Sequence, residues 1–110
     1  MAKVKDVMMN FPASTSGDVT KYLLYIAAVP AAVDEVDAGG NFVAQSFDLG
    51  TNLSVKLNDL PGMTTTDGLY NIGVTAVDDA GNESSMSTVS DVPLDFVAPD
   101  APGQITIIRT

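Results

Sequence analysis

Tyr70-Asn71-Ile72-Gly73-Val74-Thr75-Ala76-Val77 alternates in character and runs straight into Asp78-Asp79-Ala80-Gly81-Asn82-Glu83-Ser84. A period of two puts Tyr70, Ile72, Val74 and Ala76 on one face of a strand. The Asp-Ala-Gly-Asn cluster that follows is turn chemistry. Strand and turn together set the pattern by which the rest of the chain reads.

The same period recurs on both sides. Val4 to Phe11 places Val7, Met9 and Phe11 on one face, and Pro12 stops the run. Tyr22-Leu23-Leu24-Tyr25-Ile26 predicts a strand buried on one face and partly covered on the other. Phe42-Val43-Ala44-Gln45-Ser46-Phe47 is a weaker strand, and Leu53-Ser54-Val55-Lys56-Leu57 alternates apolar in and polar out. Val89 to Phe96 carries Pro93 and reads as an edge strand. Ala27 to Val36 is rich in Ala but broken by Pro30, so it reads as loop. Turn clusters at Ser14–Asp18, Asp37–Asn41, Pro61-Gly62 and Thr66-Asp67-Gly68 separate the runs. About six short strands punctuated this way predict an all-β, antiparallel sandwich or barrel.

Composition narrows the chemistry. The chain has 110 residues, a net charge of −9, and no His, Cys or Trp. One domain and one core fit that length. Imidazole and thiolate metal sites, a Ser-His-Asp triad and disulfides are excluded. Catalysis would rest on carboxylates alone, and the aromatic residues a glycosidase needs for sugar stacking are claimed by the core. No enzyme and no small-molecule substrate is expected. The acidic surface repels nucleic acid and anionic membranes. From Leu57 to Ile108 there is no Lys or Arg, while eight Asp and Glu lie there. No apolar run reaches the roughly 18–20 residues of a spanning helix, so no membrane insertion is expected. Met1-Ala2-Lys3-Val4-Lys5-Asp6 has no apolar signal-peptide core.

Three stretches together resemble a fibronectin type III domain, a seven-stranded Ig-like sandwich. Tyr70 to Ser84 resembles strand F and the FG loop of bacterial members, in which an aromatic opens the strand and Ala-Val-Asp-x-Ala-Gly-Asn-x-Ser closes it. The resemblance implies that Tyr70 is the tyrosine corner, its ring in the core and its hydroxyl bonded to upstream backbone. Val19, Tyr22, Leu24 and Ile26 are similar to strand C. Val7, Met9, Phe11 and Pro12 are similar to strand B, with Phe11 where the family usually has a buried Trp. Leu60 to Tyr70 is about four residues longer than the usual E–F corner.

The ends depart further. The strand-B-like segment starts within the first few residues, which leaves no room for a strand A. Val97 to Ile108 resembles an interdomain linker followed by a strand A. The expected organisation is therefore a sandwich of strands B to G over residues 1–96, then linker and strand-A-like tail over 97–110. About eight residues separate Phe96 from Ile105 and reach roughly 26–29 Å, so folding back in the family's direction is strained. The resemblance implies a structural, interaction-type module whose tail is a donor strand. Ile105, Ile107 and Ile108 would be the tail contacts, and Val7, Met9 and Phe11 the acceptor groove of a neighbouring subunit. The expected partner is a second copy (a homo-oligomer) or an adjacent tandem domain. Such a module would serve a filament, a virion surface or a cell surface. The alternative is an adhesion or spacer module of a tandem-repeat bacterial surface protein, binding glycan or calcium.

No cofactor is expected. Asp34, Glu35, Asp37 and Asn41 crowd around Gly39-Gly40 and are the candidates for Ca²⁺, which takes hard oxygen ligands. Their order does not match an EF-hand loop, and acidic turn residues are ordinary in sandwiches.

Overall fold

The computed structural model describes residues 3–60 and 67–109. Strands β1 (Met8–Asn10), β2 (Val19–Ala28), β3 (Gln45–Gly50), β4 (Ser54–Lys56), β5 (Gly68–Asp78) and β6 (Ser87–Leu94) form two antiparallel sheets. One sheet pairs β1 with β4, and the other has the order β3-β2-β5-β6. Among the described residues no helix is long and apolar enough to cross a membrane.

The central strands are the ones with the strongest alternation. Tyr22, Leu24 and Ile26 of β2 and Tyr70 and Ile72 of β5 point between the sheets. Leu49, Leu57, Leu60, Leu94 and Phe96 complete that core, with Val7, Met9, Phe11 and Val55 packed on it from the smaller sheet. Leu24 is fully buried at its centre. Phe11 meets the Tyr22 ring edge-on, with centroids 5.1 Å apart, a favoured aromatic geometry.

The opposite face of β2 and β5 is covered too. Tyr25, Val33, Thr75 and Val77 are buried there, and the Phe42 ring lies 5.0 Å from that of Tyr25. The cover comes from the segment between β2 and β3. Val36 bridges Phe42, closing a tight loop, and the Asn71 side-chain amide donates to the Ala31 carbonyl at 2.7 Å.

Several strands differ from expectation in extent: β2 runs Val19–Ala28 and takes in Ala27 and Ala28, expected as loop, and β6 runs Ser87–Leu94. The Phe42–Phe47 run starts pairing only at Gln45 and continues to Gly50, because Phe42 is drawn off the strand line onto Tyr25. The Val4–Phe11 run pairs as a strand only over Met8–Asn10, since its partner β4 is itself three residues long. Flanking bonds extend the ladder: Phe11 N–H to the Leu53 carbonyl at 3.0 Å, and Leu57 N–H to the Val7 carbonyl at 2.8 Å. As expected for the Pro93-bearing run, β6 lies at a sheet edge. Pro61-Gly62 and most of the long Leu60–Tyr70 corner lie outside the described residues.

β6 contains a bulge. Tyr70 faces Val92 while Ile72 faces Val89, so β6 has one residue more than β5 over this interval. Asp91 takes up the excess with a φ of 55°, and its N–H donates to Oδ1 of Asn71 at 3.2 Å. The bulge lets Val89, Val92 and Leu94 all share the inward face.

Packing ends near Phe96, whose N–H donates to Oδ1 of Asp67. Residues 97–109 form neither strand nor helix. The chain measures 75 × 29 × 19 Å with a radius of gyration of 18.7 Å, against about 13 Å for a compact domain of this size. Residues 101–109 are all exposed.

Candidate functional site: an open sheet edge and an unattached apolar segment

The smaller sheet is narrower than the one it covers. Antiparallel strands point the main-chain groups of successive residues to opposite sides. The bonds of Phe11 and Val7 run to the β4 side, so Met8 and Asn10 turn their N–H and C=O groups to the open side of β1. A row of unpaired strand groups is a template for another strand.

Beneath that edge runs a groove lined by Met9, Phe11, Pro12, Ile72, Val74 and Val89, with Ser87 and Thr88 at its rim. It continues past Phe11 toward Ser14, Tyr22 and Ala76. Val89 stands opposite Ile72 in the ladder, and residues directly opposite share a face. Ile72 is buried, whereas Val89 is 53% exposed. A valine on the inner face of a sheet is thus open to water, because among the described residues the smaller sheet stops at β1 and does not reach over β6.

Of the residues expected to form an acceptor groove, Met9 and Phe11 line this depression. Val7 packs on the core on the same face of β1. Sequence reasoning missed the other wall, formed by Ile72, Val74 and Val89. The signal for it lay in the β5–β6 hairpin, whose connection over residues 79–86 returns the chain so that Val89 lies beside Ile72, but alternation alone assigns all three to a closed core.

Ile105, Ile107 and Ile108 are 83%, 75% and 81% exposed. Three branched apolar side chains within four residues, all in water, contrast with the burial usual for Ile. Tyr70, the expected tyrosine corner, has its ring buried in the core.

The acidic loops are organised around their own backbones. Oδ1 of Asp37 accepts the N–H groups of Gly39 at 2.8 Å and Asn41 at 3.1 Å. Among the described residues no three acidic groups converge as a metal site would require. Asp78 does the same job in the β5–β6 turn, accepting from the backbones of Ala80 and Asn82 and from the Asn82 side chain. These bonds, the Asn82 backbone first, hold its carboxyl below the usual carboxylate range. Both are Asx turns that shape loops.

A polar cluster sits on the outer face of the larger sheet. The Tyr25 hydroxyl and the Thr75 hydroxyl both donate to Oε2 of Glu83, each at 2.5 Å. Burial, and then the neighbouring Glu83 carboxylate, push the Tyr25 hydroxyl from 10.0 up to about 12. The unfolded chain therefore releases this proton first. Tyr25 contributes its stability below pH 10, and loses it as the pH rises toward 12. Between pH 8 and pH 11 urea titrations will show a loss of about 1–2 kcal/mol from this group. The Tyr25→Phe variant will lack that part of the alkaline slope.

No protein-family model, no curated protein and no solved structure matches this chain.

Proposed function

We propose that the protein is a non-enzymatic structural module of fibronectin type III-like architecture, which joins to a neighbouring subunit by adding its C-terminal segment to an open sheet edge. Support for the architecture comes from the pairing of β1 with β4 and the order β3-β2-β5-β6, which are the relations the family's strands B–E and C′-C-F-G hold. Support for the activity comes from one juxtaposition above all: inward-facing Val89 lies open beside β1, and the same chain carries exposed Ile105 and Ile107. Strand addition satisfies edge amides while alternate side chains fill pockets. Burying two Ile side chains gives roughly 3–6 kcal/mol, which is of the order of the cost of association.

Such a module would serve as a filament subunit or as an accessory protein on a virion or cell surface. Its partner is a second copy or an adjacent identical domain, with no cofactor and no small substrate. The Val97-Ala98-Pro99-Asp100-Ala101-Pro102 stretch also suits a covalent linker in a tandem surface protein, whose modules would then be spacers or adhesion units.

Sedimentation of the full chain and of residues 1–98 over a concentration series tests the assembly. The full chain will gain mass with concentration, whereas 1–98, which keeps every core residue, will remain a monomer. Two chains that both stay monomeric at high concentration would sink the idea of assembly through the tail.

A further inference from the structure

We infer that the groove between β1 and β5–β6 receives residues 104–108 of a second copy, antiparallel to β1, with Ile105 opposite Phe11 and Ile107 opposite Met9. This rests on the assembly proposed above and specifies its edge, direction and register.

Direction follows from where the segment leaves its own sandwich. Lys3 to Lys5, which precede β1, line a surface depression together with Asp95 and Val97 to Pro99. The segment therefore departs from the pole at which β1 begins. Laid back along its own β1 it would run parallel to that strand. Entering another copy from the far pole, it runs antiparallel, with the more stable ladder per residue. Residues 97–103 span about 23 Å when extended, enough to pass between the poles of adjoining copies. Pro99 and Pro102, which lack an N–H, both lie before the pairing residues.

Register follows from the groups on the edge. Met8 and Asn10 present their main-chain groups there, so the residues that pair with them must present theirs in return. With Thr106 bonded to Asn10 and Ile108 bonded to Met8, Ile105 and Ile107 face inward beside Phe11 and Met9. They then lie over Val74 and Val89, the exposed wall of the groove. A slip of one residue would bring Thr106 and Ile108 inward and leave Ile105 and Ile107 in water, exchanging one buried Ile for a Thr. A slip of two one way would set Gly103 against Phe11 and move Ile107 to Val7, away from the groove, which spans Met9 to Pro12; the other way it would set the charged Arg109 against Met9. In the proposed register Ile108 points outward.

Each copy offers a tail at one pole and a groove entered from the other. The contact is heterologous, so it propagates as a polar fibre or closes as a ring.

The chain has no cysteine, so introduced thiols pair only with each other. Facing residues in such non-hydrogen-bonded positions have Cα atoms about 4.5 Å apart, within disulfide reach of about 4.4–6.8 Å. Met9→Cys chains mixed with Ile107→Cys chains, and Phe11→Cys with Ile105→Cys, will cross-link on mild oxidation at least 10-fold faster than the crossed pairs 9 with 105 and 11 with 107. Crossed pairs that dominate would mean a parallel strand, and equal rates would mean contact without register. Either overturns the inference. An internal disulfide in dilute chains carrying both Met9→Cys and Ile107→Cys would replace the second copy by the chain's own tail, and also overturns it. A second measurement leaves the acceptor intact. In the full-length chain Ile107→Asp, at an exposed position, will weaken association at least 100-fold and Ile108→Asp less than 3-fold. Association that survives Ile107→Asp places the joint on another surface and refutes this groove. A wild-type chain monomeric at every concentration refutes the underlying assembly instead.

Discussion

Replacing Leu24 by alanine will cost about 3–4 kcal/mol of folding stability, measured as a shift in urea midpoint at unchanged slope. Leu24 has no exposed surface and lies in the ladder between Phe47 of β3 and Val74 of β5. Its side chain points between the sheets, where Leu57 and Ile72 also belong to the core. Strands on both sides are fixed by main-chain bonds, so the walls of the resulting cavity cannot close far. Leu→Ala changes at such sites fall at the upper part of the observed 2–5 kcal/mol range. A domain of this size holds about 5–15 kcal/mol in total, so the loss brings the variant within reach of unfolding at moderate temperature. Leu23→Ala, one residue along on the other face and half-buried, will cost about 1 kcal/mol. Similar losses for Leu23 and Leu24 would mean that β2 is equally packed on both faces.

Val89→Asp will leave the isolated subunit nearly unchanged and abolish its assembly. Val89 is more than half exposed, and surface substitutions of this sort stay within about 0.5 kcal/mol. In the proposed assembly the same position would lie under the incoming Ile side chains, where a carboxylate would be desolvated with no partner. Self-association will weaken at least 100-fold, equivalent to about 2.7 kcal/mol, read by sedimentation beside a urea melt of the same sample. If Val89→Asp instead costs the monomer several kcal/mol, the chain covers that valine by itself and the groove has no vacancy to fill.

Strong alternation made the central strands legible. Tyr70–Val77 and Tyr22–Ile26 each have one apolar face, and both strands occupy the middle of the larger sheet, paired on two sides. Pro93 likewise marked an edge strand, since it cannot donate to a ladder. Less legible was anything decided across the chain. Thr75 falls on the polar side of its alternation yet is 1% exposed, because Glu83 and Tyr25 close over it from other elements. Phe42 reads as the start of a strand but its ring is recruited by Tyr25, which moves the start of β3 to Gln45. Asp91 gives no local sign that it will adopt a positive φ; the bulge arises because Val89, Val92 and Leu94 must all face inward against an unbulged β5.

The site divides in the same way. Met9, Phe11, Ile105 and Ile107 were readable as two apolar stripes lacking partners. Val89 was not, since exposure of an inward residue depends on how far the opposite sheet extends. The acidic residues Asp34, Glu35, Asp37 and Asn41 read as one cluster in sequence. In space the carboxylate of Asp37 turns back onto the amides of Gly39 and Asn41, which is the commoner use of Asp in a tight loop.

The bulge at Asp91 also bears on the number of directions in which copies can accumulate. The outer margin of β6 is a long strand edge, and unprotected edges invite side-by-side pairing. Here a kinked Asp91 and the imide of Pro93 interrupt that margin, and on the far side of the sheet β3 carries Asp48 and ends at Gly50. Lateral zippering of subunits into flat aggregates is thus discouraged at both flanks, while the flank beside β1 is left smooth. In the proposed assembly, growth restricted to one axis would give a thread or a closed ring and not a plaque, with its thickness set by the width of a single sandwich.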